Sequence, residues 1–282
     1  YYDLPATMIT QTTWRAVKET PYVAGLFVWV GFDYYGEPAY PYPCISSSYG
    51  IIDLCGFPKD VFYFYKSQWT NDPVLHLLPH WNWKEGQIID VIAYTNCDLV
   101  KLYLNDKLIG EQAFANTKID YYTKQWDKII DLGQGQKLSL DWKVPFSPGT
   151  LRAEGFKQGK LVATDVVKTA GDPAKIDLSA DRSSILADGK DLSYITVKIK
   201  DNQGTLVPDA DNLVHFELVG EGEIVGVVNG NPISLEPAKG KERRAFSGMC
   251  LVIIQGTGKK GDIRLKASSL GLADARISLK SN

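Results

Sequence analysis

The sequence predicts a mainly β chain: two immunoglobulin-like β-sandwiches preceded by a fragment of an α/β barrel. Three observations predict this. Past Asn71-Asp72-Pro73, short runs alternate apolar and polar residues at period two, the signature of half-buried strands. Turn signals separate these runs at the spacing expected of a sandwich. Before residue 72 the order is helix, buried strand, long aromatic loop, helix, and one and a half such units cannot close a barrel. Breaks at residue 72 and at Gly171-Asp172-Pro173 divide the 282 residues into segments 1–72, 73–171 and 172–282.

Residues 13–19 have helical composition and stop ahead of Pro21. Leu26 to Val30 is an apolar run between Gly25 and Gly31, which reads as a strand buried on both faces. From Phe32 to Gly56, Tyr, Pro, Ser and Gly predominate, as in a packed functional loop. Residues 60–69 then resume a helix. In the first sandwich, strands are expected at 88–95 and 99–110, the latter folded at Asn105-Asp106-Lys107, and at 137–142, 149–154 and 160–164. In the second they fall at 175–179, 194–200, 214–218, 251–255 and 263–267, with a hairpin signal at Asp201-Asn202-Gln203-Gly204.

Thirty-one basic and 33 acidic residues are mixed along the chain, giving a net charge of −2 and no basic stripe, so nucleic acid is not an expected partner. No apolar stretch approaches the roughly 20 residues of a membrane span. The chain starts Tyr1-Tyr2-Asp3 without an initiator Met, so targeting information is expected to have been removed or to lie upstream. Cys44, Cys55, Cys97 and Cys250 lack zinc-site spacing and read as small buried thiols, although Cys44 and Cys55 flank a short loop and can pair in an oxidising compartment. His76, His80 and His215 are too dispersed for a metal cluster. No metal or cofactor is expected.

Several motifs, in order, resemble one family. They are Phe27-Val28-Trp29 through Gly31-Phe32-Asp33-Tyr34 to Gly36-Glu37-Pro38; Tyr49-Gly50-Ile51-Ile52-Asp53 with Gly56-Phe57-Pro58-Lys59-Asp60; and Leu75-His76-Leu77-Leu78-Pro79-His80-Trp81-Asn82-Trp83. Lys101-Leu102-Tyr103-Leu104-Asn105, Ala187-Asp188-Gly189 and Arg244-Ala245-Phe246-Ser247-Gly248 continue the match. The chain thus resembles the C-terminal part of glycoside hydrolase family 2 β-galactosidases of the multidomain Bacteroides type. The resemblance implies that residues 1–72 are the last β/α portion of a TIM barrel, with Leu26 to Val30 as strand eight. It further implies a retaining exo-β-galactosidase whose two catalytic glutamates lie upstream, an upstream barrel in the same polypeptide, a β-galactoside or related glycan as partner, and a periplasmic or secreted location. It is compatible with a homo-oligomer. By itself the chain is expected to be inactive.

Within that frame Trp29 and Asp33 are the candidate substrate-binding residues. An indole at the C-terminal end of a barrel strand offers an apolar face to pyranose C–H groups, and a loop carboxylate accepts hydrogen bonds from sugar hydroxyls. Asp33 and Glu37 do not read as a catalytic pair, because both lie on one loop, whereas carboxyl groups about 5 Å apart on different strands are needed. Tyr34, Tyr35, Tyr40 and Tyr42 pack the loop or wall the pocket. Arg15, Lys59 and Asp60 read as solvated surface. Asn229-Gly230-Asn231-Pro232 reads as a turn lacking the acidic residue that family members often carry there. The competing reading is a non-catalytic carbohydrate-binding or adhesion module of tandem immunoglobulin-like domains, gripping glycans with Trp81 and Trp83. A third is a structural spacer.

Overall fold

The computed structural model describes residues 4–38, 41–116, 119–125, 128–135 and 137–282. The chain forms two compact units: residues 1–31 with 58–169, and residues 32–57 with 170–282.

In the first unit, helix α1 (Leu4–Glu19) ends just before Pro21, and α2 (Asp60–Trp69) places Asp60 in its first turn and Lys66 in its last, the polarity a helix dipole favours. Trp14 of α1 meets Trp69 edge-on at 5.7 Å and donates its indole N–H to Gln68 Oε1. The sandwich follows as β1 (Leu75–Leu78), β2 (Ile88–Thr95), β3 (Leu99–Leu104), β4 (Lys107–Ala113), β5 (Ile119–Gln125), β6 (Lys128–Gly135), β7 (Leu140–Pro145), β8 (Thr150–Lys157) and β9 (Lys160–Lys168). One sheet runs β1-β2-β7 and its partner β4-β3-β8-β9, with β5 and β6 paired apart as a hairpin. Asn105 and Asp106 both have positive φ, 49° and 63°, so the turn predicted there joins β3 to β4 as the left-handed two-residue hairpin loop that matches strand twist. Alternation sends Val100, Leu102, Leu151 and Ala153 inward against Val91 and Val144 of the facing sheet.

Trp81 lies at the centre of that core, fully buried, edge-on to Phe146 at 5.2 Å and donating Nε1–H to the Ser147 carbonyl. A buried indole needs such an acceptor. It is therefore a core residue and not part of an exposed glycan platform. Trp83 is half-buried and stacks on the exposed His80 ring.

Leu26 to Val30 departs from expectation. These residues belong to no strand among those described, and the chain bends at Trp29. Leu26, Val28 and Val30 are half-buried, whereas Phe27 is fully exposed and Trp29 is 74% exposed, so one side is open instead of both being covered. A parallel strand draws its backbone hydrogen bonds from neighbouring strands, and the described chain holds none for this segment.

The second unit contains β10 (Lys175–Ala180), β11 (Ser184–Ile185), β12 (Leu192–Lys200), β13 (Leu213–Gly220), β14 (Gly222–Val228), β15 (Glu242–Arg244), β16 (Met249–Gly256), β17 (Gly261–Ser268) and β18 (Ala275–Ser281). The sheets run β10-β12-β16-β14 and β11-β18-β17-β13-β15. Ile195, Val197 and Ile199 of β12 face Phe216 and Leu265 from the other sheet, all essentially buried. Each such side chain contributes about 1.5–3 kcal/mol on leaving water. The turn predicted after β12 is present: Lys200 bridges Leu206, and the buried Asp201 carboxylate accepts the Gly171 and Thr205 N–H groups.

Candidate functional site

The loop 32–57 packs with the second sandwich, and side chains hold it where strands do not. Phe32 bridges Ile52 in parallel, and Asp33 N–H donates to the Ile52 carbonyl at 2.9 Å. Asp33 is only 8% exposed, and its Oδ1 accepts the Gly50 N–H at 2.9 Å. Gly50 must be glycine: a Cβ there would fall 2.2 Å from the Asp33 nitrogen. Further along, Ser47 N–H donates to the Tyr34 carbonyl and Gly36 N–H to that of Ile45, a narrow ladder flanking the Tyr35–Ser46 bridge. Gly36 and Glu37 turn the chain with φ of 86° and 47°, and the Glu37 carboxylate accepts the Tyr34 hydroxyl. Tyr35 and Tyr42 stand exposed, and Tyr40 lies outside the described residues.

Asp53 closes the far end. Its Oδ1 accepts the N–H groups of Cys55 and Phe57, both at 2.8 Å. The loop rests on the turn between β14 and β15: Ile45 N–H donates to the Pro232 carbonyl at 3.0 Å, and Gly230 faces Asp53 so closely that a Cβ would lie 2.3 Å from Asp53 Oδ2. The turn has no acidic residue of its own at 228–230, but the loop brings a carboxylate to it.

All four cysteines are free thiols, Cys44, Cys97 and Cys250 buried and Cys55 half-buried. Cys44 and Cys55 are not joined. Cys44 instead lies 3.2 Å from the Ser46 carbonyl. Burial pushes the Cys250 thiol up to about 12, and burial, followed by the Asp53 charge, raises that of Cys55.

In the first unit, Asp60 is not idle surface. Its Oδ1 lies 2.8 Å from His76 Nε2, while Asp165 Oδ2 sits 3.9 Å from His76 Nδ1 and accepts the Leu77 N–H. Tyr63 stacks on the His76 ring at 3.9 Å, its hydroxyl pKa raised by burial and then by the charges of Asp165 and Asp60. The cluster fastens α2 to β1 and β9. Arg15 is likewise buried rather than solvated.

Of the two candidate binding residues, Trp29 belongs to the first unit and Asp33 to the second. Trp29 is 74% exposed, and Asp33 is a nearly buried carboxylate whose Oδ1 accepts the Gly50 N–H. Sequence reasoning quoted Gly50 and Asp53 only within a motif that carries the family resemblance, without a role for either, and passed over the buried Arg243; all three shape the loop and its support.

Residues 176–278 match the profile described as glycoside hydrolase family 2 C-terminal domain 5, and residues 86–163 match a domain of unknown function (DUF4982). Beta-galactosidase BoGH2A of Bacteroides ovatus is 46% identical over 267 residues, covering 94% of this chain and 29% of that protein. A beta-galactosidase of Thermoanaerobacter pseudethanolicus is 29% identical over 294 residues, covering 99% and 37%. Among solved structures, a beta-glycosidase from Bacteroides vulgatus superposes with a TM-score of 0.85 at 33% identity, over 96% of this chain and 32% of that one. A family 2 beta-glucuronidase gives 0.81 at 27% identity, over 100% and 28%. The chain thus spans less than two fifths of the length of these relatives.

Proposed function

Because the chain belongs to glycoside hydrolase family 2 as part of its C-terminal region, we propose that the polypeptide carrying it is a retaining exo-β-galactosidase and that residues 25–38 supply contacts to its substrate. The observation that carries this reading is Trp29: its indole is 74% exposed while Val28 and Val30 beside it are half-buried. A largely exposed indole suits stacking against the apolar face of a galactose ring. Asp33 accepts hydrogen bonds from sugar hydroxyls, its orientation set by the Gly50 N–H.

The chemistry belongs to two glutamates upstream. One protonates the glycosidic oxygen as the aglycone leaves, and the other attacks the anomeric carbon to form a glycosyl-enzyme that water then hydrolyses with net retention. The sandwiches brace the barrel or narrow its mouth, and the enzyme works in the periplasm or outside the cell.

Aryl β-galactoside, β-glucuronide and β-mannoside assayed against the complete polypeptide and against residues 1–282 test this reading. Turnover of the galactoside by the complete polypeptide alone is expected, with KM raised about tenfold by Trp29→Ala. Turnover by residues 1–282, or preference for the glucuronide, overturns it.

A further inference from the structure

Arg243, on β15, is 3% exposed, in a stretch of sequence, Lys241-Glu242-Arg243-Arg244, that reads as solvated surface. Burying a guanidinium is costly unless its donors are met. Here the donors on Nη1 and Nη2 are met by one short piece of chain. Nη2 donates to the carbonyls of Val227 and Pro237, both at 2.7 Å, and of Glu236 at 3.3 Å. Nη1 donates to the Glu236 carbonyl at 3.2 Å and to Ser234 Oγ at 3.3 Å, with Glu236 Oε2 at 3.5 Å supplying the opposite charge. Nε has no acceptor among the described residues, so everything this side chain bonds lies in the stretch from Val227 to Pro237.

That stretch carries the loop 32–57. Pro232 accepts Ile45 N–H through its carbonyl, Gly230 abuts the Asp53 carboxylate, and Ile45 in turn pairs with Gly36 in the ladder that begins one residue beyond Asp33.

We infer that Arg243 is a positioning residue for substrate capture: by clamping residues 227–237 from inside the second sandwich it fixes the seat of the loop 32–57, and with it the Asp33 carboxylate. The inference rests on the proposed role of that loop in holding the sugar. Lysine keeps the charge but not the planar fork that reaches several carbonyls at once, so Arg243→Lys loosens the seat without emptying the site.

The experiment uses the complete polypeptide carrying Arg243→Lys, with Ile195→Val in the core of the same sandwich as a control for lost stability alone. Two readouts are taken: KM and kcat on an aryl β-galactoside, and hydrogen exchange at the Ile45 amide. Arg243→Lys is expected to raise KM about tenfold with kcat within about twofold, and to speed Ile45 exchange about tenfold, while Ile195→Val does neither. Unchanged exchange, or the same changes in Ile195→Val, overturns the clamp. Faster exchange with unchanged KM overturns its role in capture. Asp33→Ala separates the two readings. A rise in KM there with Arg243→Lys silent sinks only this inference, whereas silence in Asp33→Ala together with faster Ile45 exchange in Arg243→Lys sinks the substrate role of the loop.

Discussion

Residues 26–30 and residues 32–57 adjoin in sequence and satisfy their backbones in opposite ways. The first segment is apolar and outside any ladder among the described residues, with Phe27 and Trp29 exposed. The second has almost no regular structure, yet Asp33 and Asp53 accept backbone N–H groups, Gly36 takes the positive φ of a turn, Gly50 allows a close approach, and Pro232 anchors it to a sandwich. The strand composition of the first segment needs neighbours to become a strand. The loop composition of the second brings its own partners, because Asp side chains accept N–H groups that a ladder would otherwise satisfy and glycine tolerates the turns.

The sharpest way to break this contrast is at Gly50. Gly50→Ala drives a Cβ into the Phe32–Asp33 backbone and is expected to destabilise the second unit by about 3 kcal/mol, read as a lower urea midpoint. Asp33→Ala leaves the buried Gly50 N–H without its carboxylate and should cost about 1–2 kcal/mol by the same measurement. If it costs nothing, side-chain capping does not hold the loop.

Asp201 offers the same capping chemistry in a form that pH can read. The Gly171 N–H, ahead of the opposing effect of burial, and then that of Thr205 hold its carboxyl below the ordinary carboxylate range. The native state therefore prefers the ionised form. Its contribution is fully present above about pH 4 and is lost as pH falls through the depressed value. Asp201→Asn is expected to make the acid limb of thermal melts taken between pH 6 and pH 2 shallower, while Asp181 and Asp188, whose carboxyls are also held below the ordinary range, keep the remainder. The smallest effect belongs to Trp29→Ala, which should change stability by less than about 0.5 kcal/mol even though substrate affinity depends on it. A larger loss would show that Trp29 is structural.

Much of the β architecture was legible because its determinants are local. The period-two run at 88–95 is β2 to the residue, the composition of 60–69 is α2, and Asn105-Asp106 is the hairpin turn. Strands missed include β14, where Gly222 and Gly226 punctuate the alternation and the register shifts between Ile224 and Gly226, and also the glycine-free β1 and β18. Burial of polar and aromatic side chains was less legible, since composition does not say which face of an element will be covered. Trp81 went to the core, and Arg15 and Arg243 were buried from charged surroundings. In the candidate site, Trp29 and Asp33 were named from sequence. The dependence of the Asp33 loop on Gly50 and Pro232 was not, because those contacts join residues 17 and about 190 positions apart.

The grouping of residues 32–57 with 170–282 defines what can be exchanged between relatives. A chimera that swaps only the last sandwich would seat a native loop on a foreign turn, so the residue facing Asp53 and the acceptor for Ile45 would both come from the other parent. The transferable module is discontinuous. A graft that keeps its register must carry 26 residues from far upstream along with the sandwich, so recombination within this family is constrained at a crossover the domain boundaries alone would not reveal.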